Sequence, residues 1–134
     1  MNDGQINFRI LFRSPKYPVI VIAEDDIWSA SGIQELGAIC VVSEPADDED
    51  KITVIDCTGE EFWYFPEQYA LSPAFFRKKW NKKQIIELFN NTEAAKESNM
   101  QYPLKSLSSK RLCKIVADIC EILGHNQALH ADRQ

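Results

Sequence analysis

The sequence predicts an α+β fold: an N-terminal antiparallel sheet of about five strands with C-terminal helices packed on one face. Three observations predict it. Short alternating or β-branched apolar segments fill the chain as far as Phe65, and helix-start signals with a helical apolar stripe fill the remainder. Strands followed by helices, rather than alternating with them, are the order of an α+β domain. At 134 residues one domain is expected, spanning 1–124, with 125–134 as a frayed C-terminal tail.

Ile6, Phe8, Ile10 and Phe12 alternate with Asn7, Arg9 and Leu11, the period of a half-buried strand. Ser14-Pro15-Lys16-Tyr17-Pro18 then turns the chain. Val19-Ile20-Val21-Ile22-Ala23 is apolar throughout and β-branched, as a central strand covered on both faces should be. From Glu24 to Gly37 more than one element fits. Asp25 or Asp26 can cap a short helix through Ile27 and Trp28, and Gly32 weakens any long one. Ala38–Val42 and Ile52–Ile55 read as an antiparallel pair joined by an acidic loop from Ser43 to Lys51. Cys57-Thr58-Gly59-Glu60 turns the chain into Glu61–Phe65, which Pro66 ends, so consecutive strands make a meander.

Ser72 is placed as an N-cap, with Pro73 at the first helical position and Leu71 stapling Phe76, for a short helix to about Lys79. Asn81 caps a second helix, with Gln84 three residues on and Trp80 stapling Ile85. Ile85, Ile86, Leu88 and Phe89 are its apolar face, and it frays at Asn90-Asn91-Thr92 or continues to about Ser98. A connector containing Pro103 leads to a last helix from about Ser108 to Leu123. Leu112, Ile115, Val116, Ile119, Ile122 and Leu123 form its stripe and Gly124 its C-terminal cap.

Composition narrows the function. No apolar run approaches the length of a membrane span, and Met1–Gln5 carries neither the basic nor the apolar region of a signal peptide, so a cytoplasmic protein without a membrane partner is expected. Cys40, Cys57, Cys113 and Cys120 contain no Cys-x-x-Cys pair and read as small buried hydrophobes, with Cys113 and Cys120 on one helical face. The two histidines, His125 and His130, sit near the chain end, where general acid–base work finds little support. The five isolated glycines form neither a phosphate loop nor a dinucleotide fingerprint. Asp56 could pair with Glu60 or Glu61 as a catalytic couple, but solvated strand ends are the simpler reading. A non-enzyme without metal or cofactor is expected.

Charge is divided by position. Residues 1–70 hold fourteen acidic and four basic side chains, net −10, and residues 71–134 hold six and eleven, net +5. Such a division bears on partners rather than on fold. The acidic candidates are Glu24, Asp25 and Asp26 after the second strand and Asp47, Asp48, Glu49 and Asp50 in the loop. Their fields would attract a basic protein. Eight of the fourteen aromatics lie between Phe62 and Trp80; most belong to a core, and Trp63 is the candidate interface anchor. A basic candidate site comprises Arg77, Lys78, Lys79, Trp80, Lys82 and Lys83. Lys82 and Lys83 start a helix, where the dipole opposes cations. Lys105, Lys110, Arg111 and Lys114 could extend that basic face.

The segments Glu61-Phe62-Trp63-Tyr64-Phe65-Pro66, Ser72-Pro73 and Trp80-Asn81-Lys82-Lys83, in a small acidic chain without a catalytic motif, resemble the small immunity proteins of bacterial contact-dependent and polymorphic toxin systems. The resemblance is one of type and transfers no functional residue. It implies an inhibitor that neutralises a basic, nucleic-acid-acting toxin by occluding its active site through an acidic surface. The alternative expectation is a module that binds single-stranded nucleic acid through the Arg77–Lys83 junction, with Trp80 stacking on bases.

Overall fold

A computed structural model describes residues 8–23, 26–42, 52–74, 79–92, 95–96, 102–103 and 109–132. Strands β1 (Arg9–Ile10), β2 (Val19–Ala23), β3 (Asp26–Ala30), β4 (Ile52–Ile55), β5 (Glu61–Phe65) and β6 (Ala70–Pro73) form one sheet in the order β1-β6-β5-β4-β2-β3. Only β1 and β6 are parallel; the other neighbours are antiparallel. Helices α1 (Ile33–Val42), α2 (Lys82–Asn90) and α3 (Leu112–Asp132) complete the described elements, with a single 3-10 turn at Pro66–Gln68. The molecule is α+β with its C-terminal helices on one sheet face, as the order of elements predicts.

The sheet is buried on both sides because side chains alternate along each strand. Val19, Val21, Ile52, Val54, Phe62, Tyr64 and Leu71 face Leu36 and Cys40 of α1. Ile20, Ile27 and Ile55 face the other way, onto Ile85, Ile86 and Phe89 of α2 and Ile115, Val116, Ile119 and Leu123 of α3. The unbroken apolar run of β2 follows from this: every residue from Val19 to Val21 has no exposure at all. Each fully buried Leu or Ile contributes about 1.5–3 kcal/mol of transfer free energy, so both layers are needed to stabilise a chain of this size.

Four expectations are corrected. Ala38–Val42 is helical, not the strand partner of β4; it is the second half of α1, and β4 pairs with β2 and β5 instead. A five-residue apolar run fits a buried helix as well as a strand, and the four-residue spacing of Leu36 and Cys40 puts both on the sheet. Gly37 lies where a Cβ would come within 3.1 Å of the Phe8 ring, so that flank of α1 packs closely against the first strand. Ile27 and Trp28 are not helical; they belong to β3, the hairpin partner of β2.

Ser72 and Pro73 do not start a helix but close β6, opposite Trp63 and Phe62. Pro73 is tolerated there because β1 pairs only with Ala70 and Leu71, so no neighbouring strand asks Pro73 for an amide proton. Phe75 to Lys78 lie outside the described residues, as do Ile6 and Asn7. Finally, Gly124 does not end the last helix. α3 runs through it to Asp132, so 125–132 is helical rather than a frayed tail; at Gly124 the helix passes close to the sheet, with Ser29 Oγ 3.8 Å from where a Cβ would stand.

The α2 start matches expectation in detail. Asn81 accepts from Gln84 N–H at 2.9 Å while Gln84 Oε1 accepts from Asn81 N–H at 2.9 Å, a reciprocal capping box. Trp80 packs against the cluster that holds Ile85. At the other end Asn91 is the C-cap, so α2 stops at Asn90.

The placement of α1 is open to a direct check. Leu36→Ala should cost about 2–5 kcal/mol in urea denaturation, while Gln34→Ala, on the exposed side of the same helix, should change stability by less than about 0.5 kcal/mol.

Candidate functional site

The β4–β5 turn organises one end of the sheet. Asp56, only 2% exposed, accepts from Thr58 N–H at 2.9 Å, Thr58 Oγ1–H at 2.6 Å and Glu60 N–H at 3.0 Å on Oδ1, and from Lys16 N–H at 3.1 Å on Oδ2. An Asp that bonds the backbone two residues on is an Asx-turn, and Asp56-Cys57-Thr58-Gly59 is a sequence in which that turn is readable. Gly59 takes φ +89, and a Cβ there would lie 2.5 Å from the Trp80 carbonyl oxygen and 3.0 Å from Leu112. Only glycine fits both the backbone angle and the close approach. Trp80 N–H in turn donates to the Gly59 carbonyl at 2.9 Å. The starts of α2 and α3 thus both rest on this turn.

The two carboxylates beside it are also occupied. Glu60 receives the Arg13 guanidinium through both oxygens, Nε lying 3.2 Å from Oε1. Glu61 accepts from two tryptophans, Trp63 Nε1–H at 2.5 Å and Trp80 Nε1–H at 2.8 Å. Asp56, Glu60 and Glu61 therefore do not form a carboxylate couple, and Asp56 is no solvated strand end. Each is held by a different set of donors. Trp63, expected as a partner anchor, is half-buried with its indole N–H directed to Glu61.

A second polar knot ties the connector to α3. Asn90 brackets the Tyr102 backbone, donating to its carbonyl at 3.1 Å and accepting from its N–H at 2.7 Å. Tyr102 Oη–H donates to Asp118 Oδ2 at 2.7 Å, Lys110 Nζ reaches the same oxygen at 2.9 Å, and Lys114 Nζ reaches Oδ1 at 3.0 Å. Partial burial works to raise the Asp118 carboxyl, but the hydrogen bonds from Tyr102, Lys110 and Lys114 outweigh it and hold the group down at about 2. Burial, and then the bond to Asp118, raises the Tyr102 hydroxyl. Neither Tyr102 nor Asp118 stood out in the sequence; the only signal was the i,i+4 spacing of Lys114 and Asp118.

Cysteine burial follows expectation at three positions and not at the fourth. Cys40, Cys57 and Cys120 are buried, and Cys113 is exposed. Burial pushes the Cys40 and Cys120 thiols up to about 12. Burial, and then the hydrogen bond to Cys113, pushes Cys57 up to about 11. Protonated thiols are poor nucleophiles and poor metal ligands. Among the described residues no group of three or more His, Cys, Asp or Glu is placed to hold a metal ion, and no helix is long and apolar enough to cross a membrane.

The strand register fixes where the charged stretches of the sequence join the sheet. β2 runs toward Ala23 and β4 starts at Ile52, and their register pairs Ile22 with Thr53. The β2–β3 connection, between Ala23 and Asp26, and the segment that enters β4 at Ile52 therefore meet the sheet at the same end, on adjacent strands. Glu24, Asp25, Asp47, Asp48, Glu49 and Asp50 lie outside the described residues, and Asp26 opens β3. Their points of attachment share one end.

The opposite end carries the Asp56 turn with Arg13, Lys16 and the Lys79–Lys83 junction around it. Within the basic candidate site, Lys79 is exposed and Lys83 lies 4.0 Å from Glu87, while Arg77 and Lys78 lie outside the described residues. Trp80 is half-buried against the helical core and bonded to Glu61. That leaves it poorly placed to stack on a base. Lys110 and Lys114, which were to extend the basic face, share Asp118.

No protein-family model matches the chain, and neither the curated proteins nor the solved structures give a match.

The Asp118 knot has a pH signature. Its carboxyl is ordinarily near 3.8 and lies at about 2 in the folded chain, so its stabilisation is present in full above the ordinary value and is lost as pH falls through about 2. Asp118→Asn should flatten the dependence of unfolding free energy on pH between about 4 and 2, measured by urea titration at successive pH values. An undiminished slope would place the acid sensitivity in other carboxylates.

Proposed function

We propose that the chain is a non-enzymatic binding protein, an inhibitor of the immunity type, which uses the acidic end of its sheet to occupy the phosphate-gripping groove of a basic, nucleic-acid-acting protein. The observation that carries this reading is the β2–β4 register, which attaches the Glu24–Asp26 and Asp47–Asp50 segments to adjacent strands at one end. Two acidic segments rooted side by side reinforce each other's field, and such a field raises association rates and steers a basic surface into place.

The carboxylates around the opposite end support the same reading from another side. Asp56, Glu60, Glu61 and Asp118 are engaged with backbone amides, Arg13, two indoles and two lysines. Groups held this way maintain a scaffold, which leaves the partner-binding role in this reading to the acidic segments.

Replacing Asp47, Asp48, Glu49 and Asp50 by lysine tests the reading against the product of the adjacent reading frame, which the reading expects to carry a toxin domain. The association rate at low salt should fall on the order of tenfold or more, with a smaller change at high salt. Co-expression of the parent chain should protect cells and the charge-reversed chain should not. An unchanged association rate would remove the acidic end from the mechanism. Steeply salt-dependent retention of short single-stranded RNA by the parent chain would favour the basic junction instead.

A further inference from the structure

Phe12 is 90% exposed and has φ +69, the left-handed region that a bulky L residue seldom enters. Arg13 N–H donates to the Leu11 carbonyl at 2.8 Å, so Phe12 is the central residue of a γ-turn with positive φ, a rare and strained form. The strain is imposed from both sides. Leu11 N–H donates to the Leu71 carbonyl at 2.8 Å, extending the β1–β6 ladder, and the Arg13 guanidinium is clamped on Glu60. Beyond Arg13, Lys16 is held to the Asp56 turn through both its N–H and its carbonyl. With its neighbours fixed, the chain turns outward at Phe12 and lifts the ring away from the core.

Folding gains nothing from this ring. Burial would favour it, the backbone angle disfavours it, and any of the small turn residues would sit there with less strain. The charges around it are equally uneven. Three of the four cations among residues 1–70, Arg9, Arg13 and Lys16, fall within the eight residues centred on Phe12, and all three are exposed. An otherwise acidic half of the chain thus gathers its cations around one presented aromatic.

We propose that Phe12 is the anchor of a second interaction surface, which inserts its ring into an apolar pocket rimmed by carboxylates on a protein partner. Arg13 and Lys16 tie this surface to the Asp56 end of the sheet, while Arg9, level with Ala70, lies toward the other end; the proposal goes beyond the inhibitory reading. Charge complementarity selects the partner: Arg9 and Lys16, beside an Arg13 already paired with Glu60, match an acidic rim, and the exposed ring matches an apolar centre, the usual anatomy of an aromatic hot spot. A protein pocket is favoured over a lipid surface because the turn fixes the backbone that presents the ring. A backbone ordered in advance lowers the entropic cost of entering a shaped pocket, whereas a fluid headgroup layer has no use for a fixed presentation.

The test replaces Phe12 with p-benzoylphenylalanine in the native cell, with the same replacement at exposed Gln34 as control, followed by irradiation and mass spectrometry of adducts. A protein adduct is expected at position 12 and not at 34, its cross-linked residue lying in an apolar pocket with Asp or Glu at the rim. With that protein purified, Phe12→Ala should weaken binding at least tenfold, Lys16→Glu several-fold, and Phe12→Trp little. Phe12→Gly should melt no lower than the parent chain, since glycine adopts the turn without strain.

Five results would overturn the proposal. One is adduct formation no greater at 12 than at 34, and another is an adduct with a second copy of the chain. The third is an unchanged affinity for Phe12→Ala. The fourth is binding to phosphatidylglycerol vesicles that Phe12→Ala abolishes. A large fall in melting temperature for Phe12→Gly would make the ring a part of the fold and overturn it as well.

Discussion

Asp56 accepts hydrogen bonds from Thr58, Glu60 and Lys16 while lying almost wholly inside the protein, and the meeting of four segments depends on it. A buried carboxylate without partners would be costly enough to unfold a small domain; with four donors it becomes a fixed point. The turn it closes sets Gly59 at positive φ, which lets the Trp80 carbonyl and Leu112 approach and so positions the starts of α2 and α3. Through Lys16 it holds the segment that precedes β2. Through Arg13 and Glu60, one residue beyond the Asx-turn, it braces the strained backbone at Phe12.

This arrangement separates scaffold from surface. The polar groups gathered around the turn and around Asp118 satisfy one another, so they rigidify the molecule without creating a reactive centre. At the far end of the sheet, Ala23 and Ile52, the described residues that border the acidic stretches of the sequence, lie on adjacent strands. Several cations at the basic end are tempered by internal partners: Arg13 by Glu60, Lys83 by Glu87, Lys110 and Lys114 by Asp118. Counting charges along the chain therefore overstates the positive field.

How far the sequence could be read depended on the range of the determining interaction. The α2 start is local chemistry within four residues, and the Asn81–Gln84 capping box is where the spacing puts it. β2 was readable because burial on both faces leaves a continuous β-branched run. Ala38–Val42 has a composition that suits a strand, while its helical state depends on the distant face of β2 and β4 that Leu36 and Cys40 cover. Ser72-Pro73 carries a strong local helix signal, but pairing with Phe62 and Trp63 overrides it. Gly124 carries the local signal of a C-terminal cap, but α3 continues through it to Asp132. The indole pair on Glu61 and the knot around Asp118 join residues many positions apart, so no periodicity announces them. Phe12 continued an alternating pattern, and only the backbone angle shows that it leaves the sheet.

Native-state amide hydrogen exchange on Asp56→Asn tests most directly whether this carboxylate holds the turn end together. The amide group can still accept on one side but presents a donor to another donor on the other. Protection should therefore fall together at Lys16, Thr58, Glu60 and Trp80, four amides from three separate segments, while the β2–β4 amides keep most of theirs. Loss confined to Thr58 and Glu60, with Lys16 and Trp80 as protected as in the parent chain, would contradict the account and reduce Asp56 to a local turn residue.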